Sequence, residues 1–464
     1  MNLAFTVVVL YLFIITGVGI YFGKFIKNEE DFSVAGRSLP SIVLAGTLMA
    51  TWMGSGTVVG GTNSLGYTYG PWVSMIFSIA SPCGIVFLYF LSQKVRDLKM
   101  HTVPDVIEHK YGPAARLIST LIIFCAYLGI TAYQYKGVGF VLNSTLGIST
   151  DTGTMISFVV IMATAVVGGL YSVAYTDFMS AILILVGLCI GVPLAIKGAG
   201  GWGTIAQALP KENLGLGGLT LFQAMGYFFP LFFYILGDQN MYQRFFAAKS
   251  GEDAKKGALG WFIGMCIVVP LVAFAATTAR ALYPDINAGQ AFIHLAIHGM
   301  PPLIGSICVA AITAFVITTG NSFLLSCGVN LSWDIYCRFL KPEATQKEKL
   351  FVSRLGVVLL GIVAFVLIRF FPTVLSLQMY AYTMYGAAIS PALIAAITWK
   401  RVTKAGGLSS MVVGAAATMA WELMGKPGGV ASVMIAAPLA IIVLIVVSLN
   451  TQTAKEPQPV EEAA

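Results

Sequence analysis

Thirteen apolar stretches, each long enough to cross a bilayer, dictate what this chain can fold into. A spanning helix needs about 20 predominantly apolar residues. Such stretches run at 3–23, 41–69, 72–93, 114–140, 154–174, 177–197, 219–240, 257–283, 300–333, 351–371, 374–398, 405–424 and 430–448. In hydrocarbon every backbone N–H and C=O must be satisfied within the protein, which a helix does inside each stretch. The expected fold is therefore an all-α polytopic membrane protein. Charged residues are only 10% of the chain, against about 25% in soluble domains. The first stretch has no basic residue before Lys24 and no small-residue cleavage pattern, so it is expected to persist as a helix and not be removed as a signal peptide.

The links between stretches exclude several function classes. None is longer than about 25 residues, too short for an ATPase or kinase output domain. No GxxxxGK[ST] occurs, and GSGTVVGG lies within an apolar stretch with no strand before it, so it is not a dinucleotide fingerprint. The seven cysteines are scattered without a CxxC pair, which argues against a disulfide frame or a zinc site. His101 and His109 read as solvated loop histidines. His294 and His298, at i,i+4 spacing with no carboxylate partner, read as an exposed amphipathic turn.

A net charge of +7 suggests nucleic acid until its distribution is considered. With the N-terminus placed outside, the inner stretches hold 21 Lys and Arg residues, among them Lys24, Arg37, Arg96, Arg116, Arg244, Arg338 and Lys400. The outer stretches hold five: Lys197, Lys211, Arg280, Arg369 and Lys426. That asymmetry is the positive-inside pattern of a thirteen-helix protein in the cell membrane, N-terminus out and C-terminus in. It gives no reason to expect nucleic acid, and no obligatory protein partner is evident. The Glu- and Pro-rich tail, 451–464, is expected to be disordered.

The second stretch spans 29 residues, about 43 Å as a straight helix against a core of about 30 Å. It must tilt or break, and Gly54-Ser55-Gly56 is where unwinding is easiest. Unwound backbone at that depth lines a cavity, where its carbonyls can bind a cation and its N–H groups a solute. The seventh stretch contains Gly226 and Pro230 and stands at the corresponding place five helices on. Two interrupted helices in matching positions point to an inverted-repeat transporter. The ninth stretch concentrates Thr318, Thr319, Asn321, Ser322 and Ser326; Thr318, Asn321 and Ser322 stand at i, i+3 and i+4 and are expected to share a face. Asp177 is an acid at the edge of the sixth stretch, and an intramembrane acid marks an ion or proton path.

The chain resembles the sodium/solute symporter family. The resemblance rests on EDFSVAGRSLP before the glycine-rich stretch, HTVPDVIEHKYGP after the next, GGLYSVAYTD, GDQNMYQRFFAAKS, and the ninth stretch ending in LSWDIY, all in the family's order. It covers about residues 1–450 and implies a five-plus-five inverted repeat (LeuT-like) over 41–398. One helix and link (1–40) would precede that core and two helices (399–450) follow it. It implies a main sodium site built from the carbonyls of Ala50, Met53 and Phe315 and the hydroxyls of Thr318 and Thr319. The family usually has alanine where Phe315 stands, a change that a carbonyl ligand tolerates. It further suggests a second sodium held by Asp177, Thr318, Asn321 and Ser322, and hence two sodium ions moved per cycle. The solute would lie beside Ser55, Gly56 and Thr57, with Tyr133, Gln134, Lys136, Gln223, Tyr380 and Tyr385 as further polar candidates. Lys136 can recognise a solute carboxylate or snorkel to the interface.

The expected function is sodium-coupled symport of a small organic solute, a carboxylate or an amino acid, by alternating access. Hard cations take oxygen ligands, and the main set is entirely oxygen. Proton coupling through Asp177 and symport of a sugar or polyol are the near alternatives. A channel would need a continuous pore, and a sensor an output domain.

Overall fold

The computed structural model describes residues 3–371 and 373–452; the expected disordered tail lies outside them apart from Thr451 and Gln452. All thirteen apolar stretches are helical. They are α1 (Leu3–Gly23), α2 (Ser41–Trp52 and Ser55–Tyr69), α3 (Pro71–Asp97), α4 (Pro113–Leu146), α5 (Thr150–Val166), α6 (Gly169–Gly198) and α7 (Leu221–Ala247). There follow α8 (Gly251–Leu282), α9 (Pro302–Leu340), α10 (Gln346–Phe370), α11 (Val374–Thr398), α12 (Lys404–Leu423) and α13 (Val433–Asn450). Among the described residues, ten pass as spans on length and apolarity alone, and the two arms of α2, bent by 52°, form an eleventh.

Three differences from the sequence expectation bear on the site. The junction of α5 and α6 falls at Gly169, not at 174–177, because Gly169 adopts φ 51°, a left-handed value that glycine takes without steric cost. Asp177 is consequently a turn or more inside α6 and fully buried. Next, α7 does not break at Gly226 or Pro230. Leu221–Gly237 is one helix with Pro230 inside it, and the break comes at Asp238, where ψ is 114°. Finally α9 extends beyond 333, and Asn330–Leu340 widens into a π-helix.

Burial sorts the helices into a centre and a periphery. Every residue of α9 from Cys308 to Val329 is buried, because α1, α4, α5, α6 and α10 surround it. In contrast, α1 and α12 present large apolar side chains outward, Phe13 at 73% exposure and Leu423 at 85%. That outward apolar surface suits lipid, not water.

The face that carries the basic links is tightly stapled. Arg37 donates to the carbonyls of Lys99 (2.8 Å), Met100 (3.3 Å) and Phe246 (3.3 Å). Leu39 pairs with Ala248 in a short parallel bridge. His101 is not a solvated loop residue: its ring packs on Trp333 at 4.4 Å, and burial, with Arg37 nearby, pushes its pKa down to about 4. His109 is exposed as expected.

In the α1–α2 link, Glu29 opens a short helix (Glu29–Val34) and is only 2% exposed, with no hydrogen-bond partner for either carboxylate oxygen. Burial raises its pKa to about 8 against the attraction of Lys349. The folded protein then keeps a proton that the unfolded chain releases near pH 4.5, so stability falls as pH rises from there to about 8. Glu29→Gln is neutral at every pH. It is expected to raise the unfolding temperature of the solubilised protein at pH 8, with the gain vanishing near pH 5. An equal shift at both pH values would show that the charge is not the cause.

Candidate functional site

The residues expected to form the main sodium site lie where the first arm of α2 ends against the middle of α9. That arm stops at Trp52, and Met53 caps it with its N–H on the Met49 and Ala50 carbonyls. From α9, Thr319 Oγ1 donates to the carbonyl of Ala50 at 3.3 Å and lies 3.4 Å from that of Thr51. Thr318 Oγ1 donates to the carbonyl of Phe315 at 3.3 Å. Ala50, Phe315, Thr318 and Thr319 are thus brought together, with Met53 at the helix end beside them. The glycine of the break is needed for this approach: a Cβ on Gly54 would stand 2.7 Å from Thr319 Cγ2 and 2.9 Å from Gln134 Nε2. Real Cβ atoms do not come so close.

Two glutamines, from α4 and α11, hold the break open in a defined shape. Gln134 Oε1 accepts from the backbone N–H of Ser55 at 2.8 Å, and the Ser55 hydroxyl is buried without a partner. Gln378 Oε1 accepts from Gly61 N–H at 2.8 Å, while its Nε2 donates to the Gly56 carbonyl at 3.1 Å and to Tyr382 Oη at 3.0 Å. Three backbone groups at the break, Ser55 N–H, Gly56 C=O and Gly61 N–H, are thus satisfied by side chains, as buried backbone requires.

Beside the break lies a small, nearly filled cavity of about 10 Å³. Trp52, Phe77, Leu231, Met265, Val269 and Tyr382 supply its apolar wall, and Gly56, Thr57, Thr62, Ser78, Ser81 and Gln378 the polar one. None of these side chains carries a formal charge. The Trp52 indole is fixed by donation to Ser81 at 2.8 Å, and Tyr234 stacks between Trp52 (5.5 Å) and Tyr382 (4.3 Å). Below that stack Asp238, at the α7 break, accepts from Tyr234 at 2.9 Å and from Tyr127.

The sequence candidates for the solute divide sharply. Gly56 and Thr57 line the cavity, Ser55 and Gln134 shape the break, and Tyr133 reaches Tyr382 at 3.4 Å. Lys136 does not line it; it is half-buried, and Asp151 at the start of α5 acts on it. Gln223 is exposed in the cap of α7 and belongs to a separate, larger groove of about 280 Å³ to which neither α2 nor α9 contributes. Tyr380 packs on Phe371 at 5.7 Å. Tyr385 is buried at the α7 break, donating to the Gly237 carbonyl and accepting from Gln239 N–H. Sequence reasoning missed Trp52, Gln378 and Tyr382, which carry no local signal beyond being polar or aromatic in an apolar run.

The four residues expected to hold a second sodium are only partly gathered. Thr318 and Ser322 face Asp177 or its partner, but the Asn321 amide turns to α5, meeting the Thr164 hydroxyl at 2.9 Å and the Ile161 carbonyl at 2.9 Å. Positions 321 and 322 lie about 100° apart around a helix, so one can face α6 while the other faces α5. Arg244, which the sequence places with the inner links, is fully buried and pairs with Asp177 at 3.3 Å.

Comparison with known proteins agrees with this geometry. The model of the sodium:solute symporter family matches residues 32–414. The sodium/proline symporter of Escherichia coli (strain K12) is 26% identical over 437 residues, which cover 87% of this chain and 85% of that protein. The high-affinity proline transporter PutP of Bacillus subtilis (strain 168) is 27% identical over 436 residues, covering 87% and 88%. Among solved structures, a Na+-coupled sialic acid symporter in a substrate-bound outward-open state superposes with a TM-score of 0.84 at 18% identity, over 98% of this chain and 99% of that one. Mhp1, a nucleobase-cation-symport-1 family transporter, does so at 0.58 and 13% identity, over 91% and 96%. The five-plus-five architecture expected from the two interrupted helices is the fold observed, and the chain belongs to the sodium:solute symporter family.

Proposed function

We propose that this sodium-coupled symporter takes up a small solute of no net charge with an apolar body, of the amino-acid class, and that proline is the first compound to test. The observation that carries this is the wall of the cavity beside Gly56: aromatic and aliphatic on one side, hydroxyl and amide on the other, with no charged side chain. A zwitterion can be met there by the ends of the broken helix and by hydroxyls, whereas a solute with net charge would be buried uncompensated. The proline symporters among the relatives support the same class. Sodium would bind at Ala50, Met53, Phe315, Thr318 and Thr319, an all-oxygen set suited to a hard cation. The transport core is then 41–398, and the basic face is cytoplasmic, with the N-terminus outside.

The test is sodium-gradient-driven uptake of labelled L-proline into proteoliposomes, in competition with other amino acids, sugars and small carboxylates. Uptake displaced by neutral amino acids supports the reading; displacement by sugars or dicarboxylates alone overturns it. Uptake driven by a pH gradient without sodium would make the chain a proton symporter. For the transported solute, Gln378→Ala is expected to raise KM about tenfold, because Gly56 C=O and Gly61 N–H lose their partners at about 1–3 kcal/mol each. Sodium binding without solute should change little. An unaltered KM would remove Gln378 from the site.

A further inference from the structure

The guanidinium of Arg244 sits where a second cation would have to bind. It follows the α7 break, within Gln239–Ala247, and is fully buried. Its Nε donates to Thr47 Oγ1 at 3.0 Å and its Nη1 to the Asn240 carbonyl at 3.1 Å. Its Nη2 reaches Thr51 Oγ1, Ser322 Oγ at 2.9 Å and Asp177 Oδ2 at 3.3 Å. Thr47 and Thr51 in turn donate to that same Asp177 oxygen, at 2.7 and 3.0 Å. Each threonine thus accepts from the guanidinium and donates to the carboxylate, which ties α2 to α6 and α7.

We propose that Arg244 is the resident cation of this position and that the transporter carries one sodium per solute, the one at the main site. The inference rests on the sodium-coupled reading above. Charge is the first reason. Asp177 is the one charged ligand that would favour a cation here over the uncharged main site, and Arg244 already balances it at 3.3 Å. Ligand supply is the second. The oxygens of Ser322, Thr47 and Thr51 already accept N–H groups from Arg244, and Asn321 is engaged with α5. Asp177 Oδ1, which receives no hydrogen bond, and the Thr318 hydroxyl are what remain. Two side-chain oxygens are half of the four that the expected second site calls for. The third reason is permanence: an arginine does not deprotonate in a protein, so the site cannot be vacated by loss of its charge.

The test counts sodium sites without needing a solute. Equilibrium binding of radioactive sodium to the purified full chain is expected to give one saturable site per polypeptide with a Hill coefficient of one. Two sites would overturn the inference and leave sodium coupling intact; no sites would overturn the proposed function itself. Asp177→Asn with Arg244→Gln removes equal and opposite charges, so one site with affinity within about threefold of wild type is expected. Arg244→Ala leaves a bare carboxylate among hydroxyls and is expected to create a second site. A merely structural role for Arg244 would create none. If either variant fails to fold, the wild-type count still decides.

Discussion

Replacing Thr319 with alanine is expected to raise the sodium concentration for half-maximal transport at least tenfold. Its hydroxyl is the group from α9 that meets the α2 carbonyls of Ala50 and Thr51, at 3.3 and 3.4 Å, and it is 2% exposed. At the proposed main site a sodium ion would take the place of the hydroxyl proton as the positive partner, and the oxygen would become a ligand. Alanine leaves the ion one oxygen short, and a loss of about 1.4 kcal/mol already corresponds to tenfold. Thr319→Ser keeps the oxygen and should stay within about threefold of wild type. Thr318→Ala is expected to behave similarly, since Thr318 stands over the Phe315 carbonyl at 3.3 Å. The measurement is sodium dependence of uptake at fixed solute, with expression and thermal stability checked in parallel. Wild-type sodium dependence in a folded Thr319→Ala protein rejects the main site as assigned.

How far this site was legible in the sequence follows from the range of the interactions that build it. The spans were readable because length and apolarity are local properties, and the break at Gly54 because glycine marks it. The α7 break was misread. Pro230 is a local signal for a kink, yet a membrane helix can carry proline unbroken when neighbours re-satisfy its backbone. The actual break at Asp238 is held by Tyr234 one turn before it and by Tyr127 and Tyr385 from two other helices, and nothing near Asp238 announces those two. Arg244 counts with the inner links because it lies beyond the stretch 219–240, while its partner, Asp177, is 67 residues away. Gln378 is 322 residues from Gly56. Local pattern shows where a helix can open. Which distant side chains fill the opening is a tertiary fact.

The largest stability loss is expected from Arg116→Gln. Arg116 stands at the start of α4 and is 5% exposed, facing three carboxylates. It meets Asp334 of the α9 π-helix at 2.7 Å, Glu108 at 2.5 Å and Asp105 at 3.3 Å, the latter two on the helix Val103–Tyr111. Arg338 adds a second contact to Glu108 at 2.6 Å, and Thr102 donates to Asp334 at 2.9 Å. Burial alone would raise the Glu108 pKa, but Arg116 and Arg338 hold it below the ordinary glutamate value of 4.5. The stability this contributes is full above pH 4.5 and is lost as pH falls through the lower folded value. Glutamine at 116 removes the charge and strands Asp334, which is fully buried. Stranding one member of a buried pair costs about 3–5 kcal/mol, enough to collapse the yield of folded protein at 37 °C for a domain of ordinary stability. Asp334→Asn should offset part of the loss, because an amide needs no counter-charge, and the double variant Arg116→Gln, Asp334→Asn should be more stable than Arg116→Gln alone. The network joins the α3–α4 link to the π-helical end of α9. The double-mutant cycle, read by thermal unfolding of the solubilised protein at pH 7, measures their coupling, and strictly additive effects would mean that Arg116 and Asp334 contribute independently.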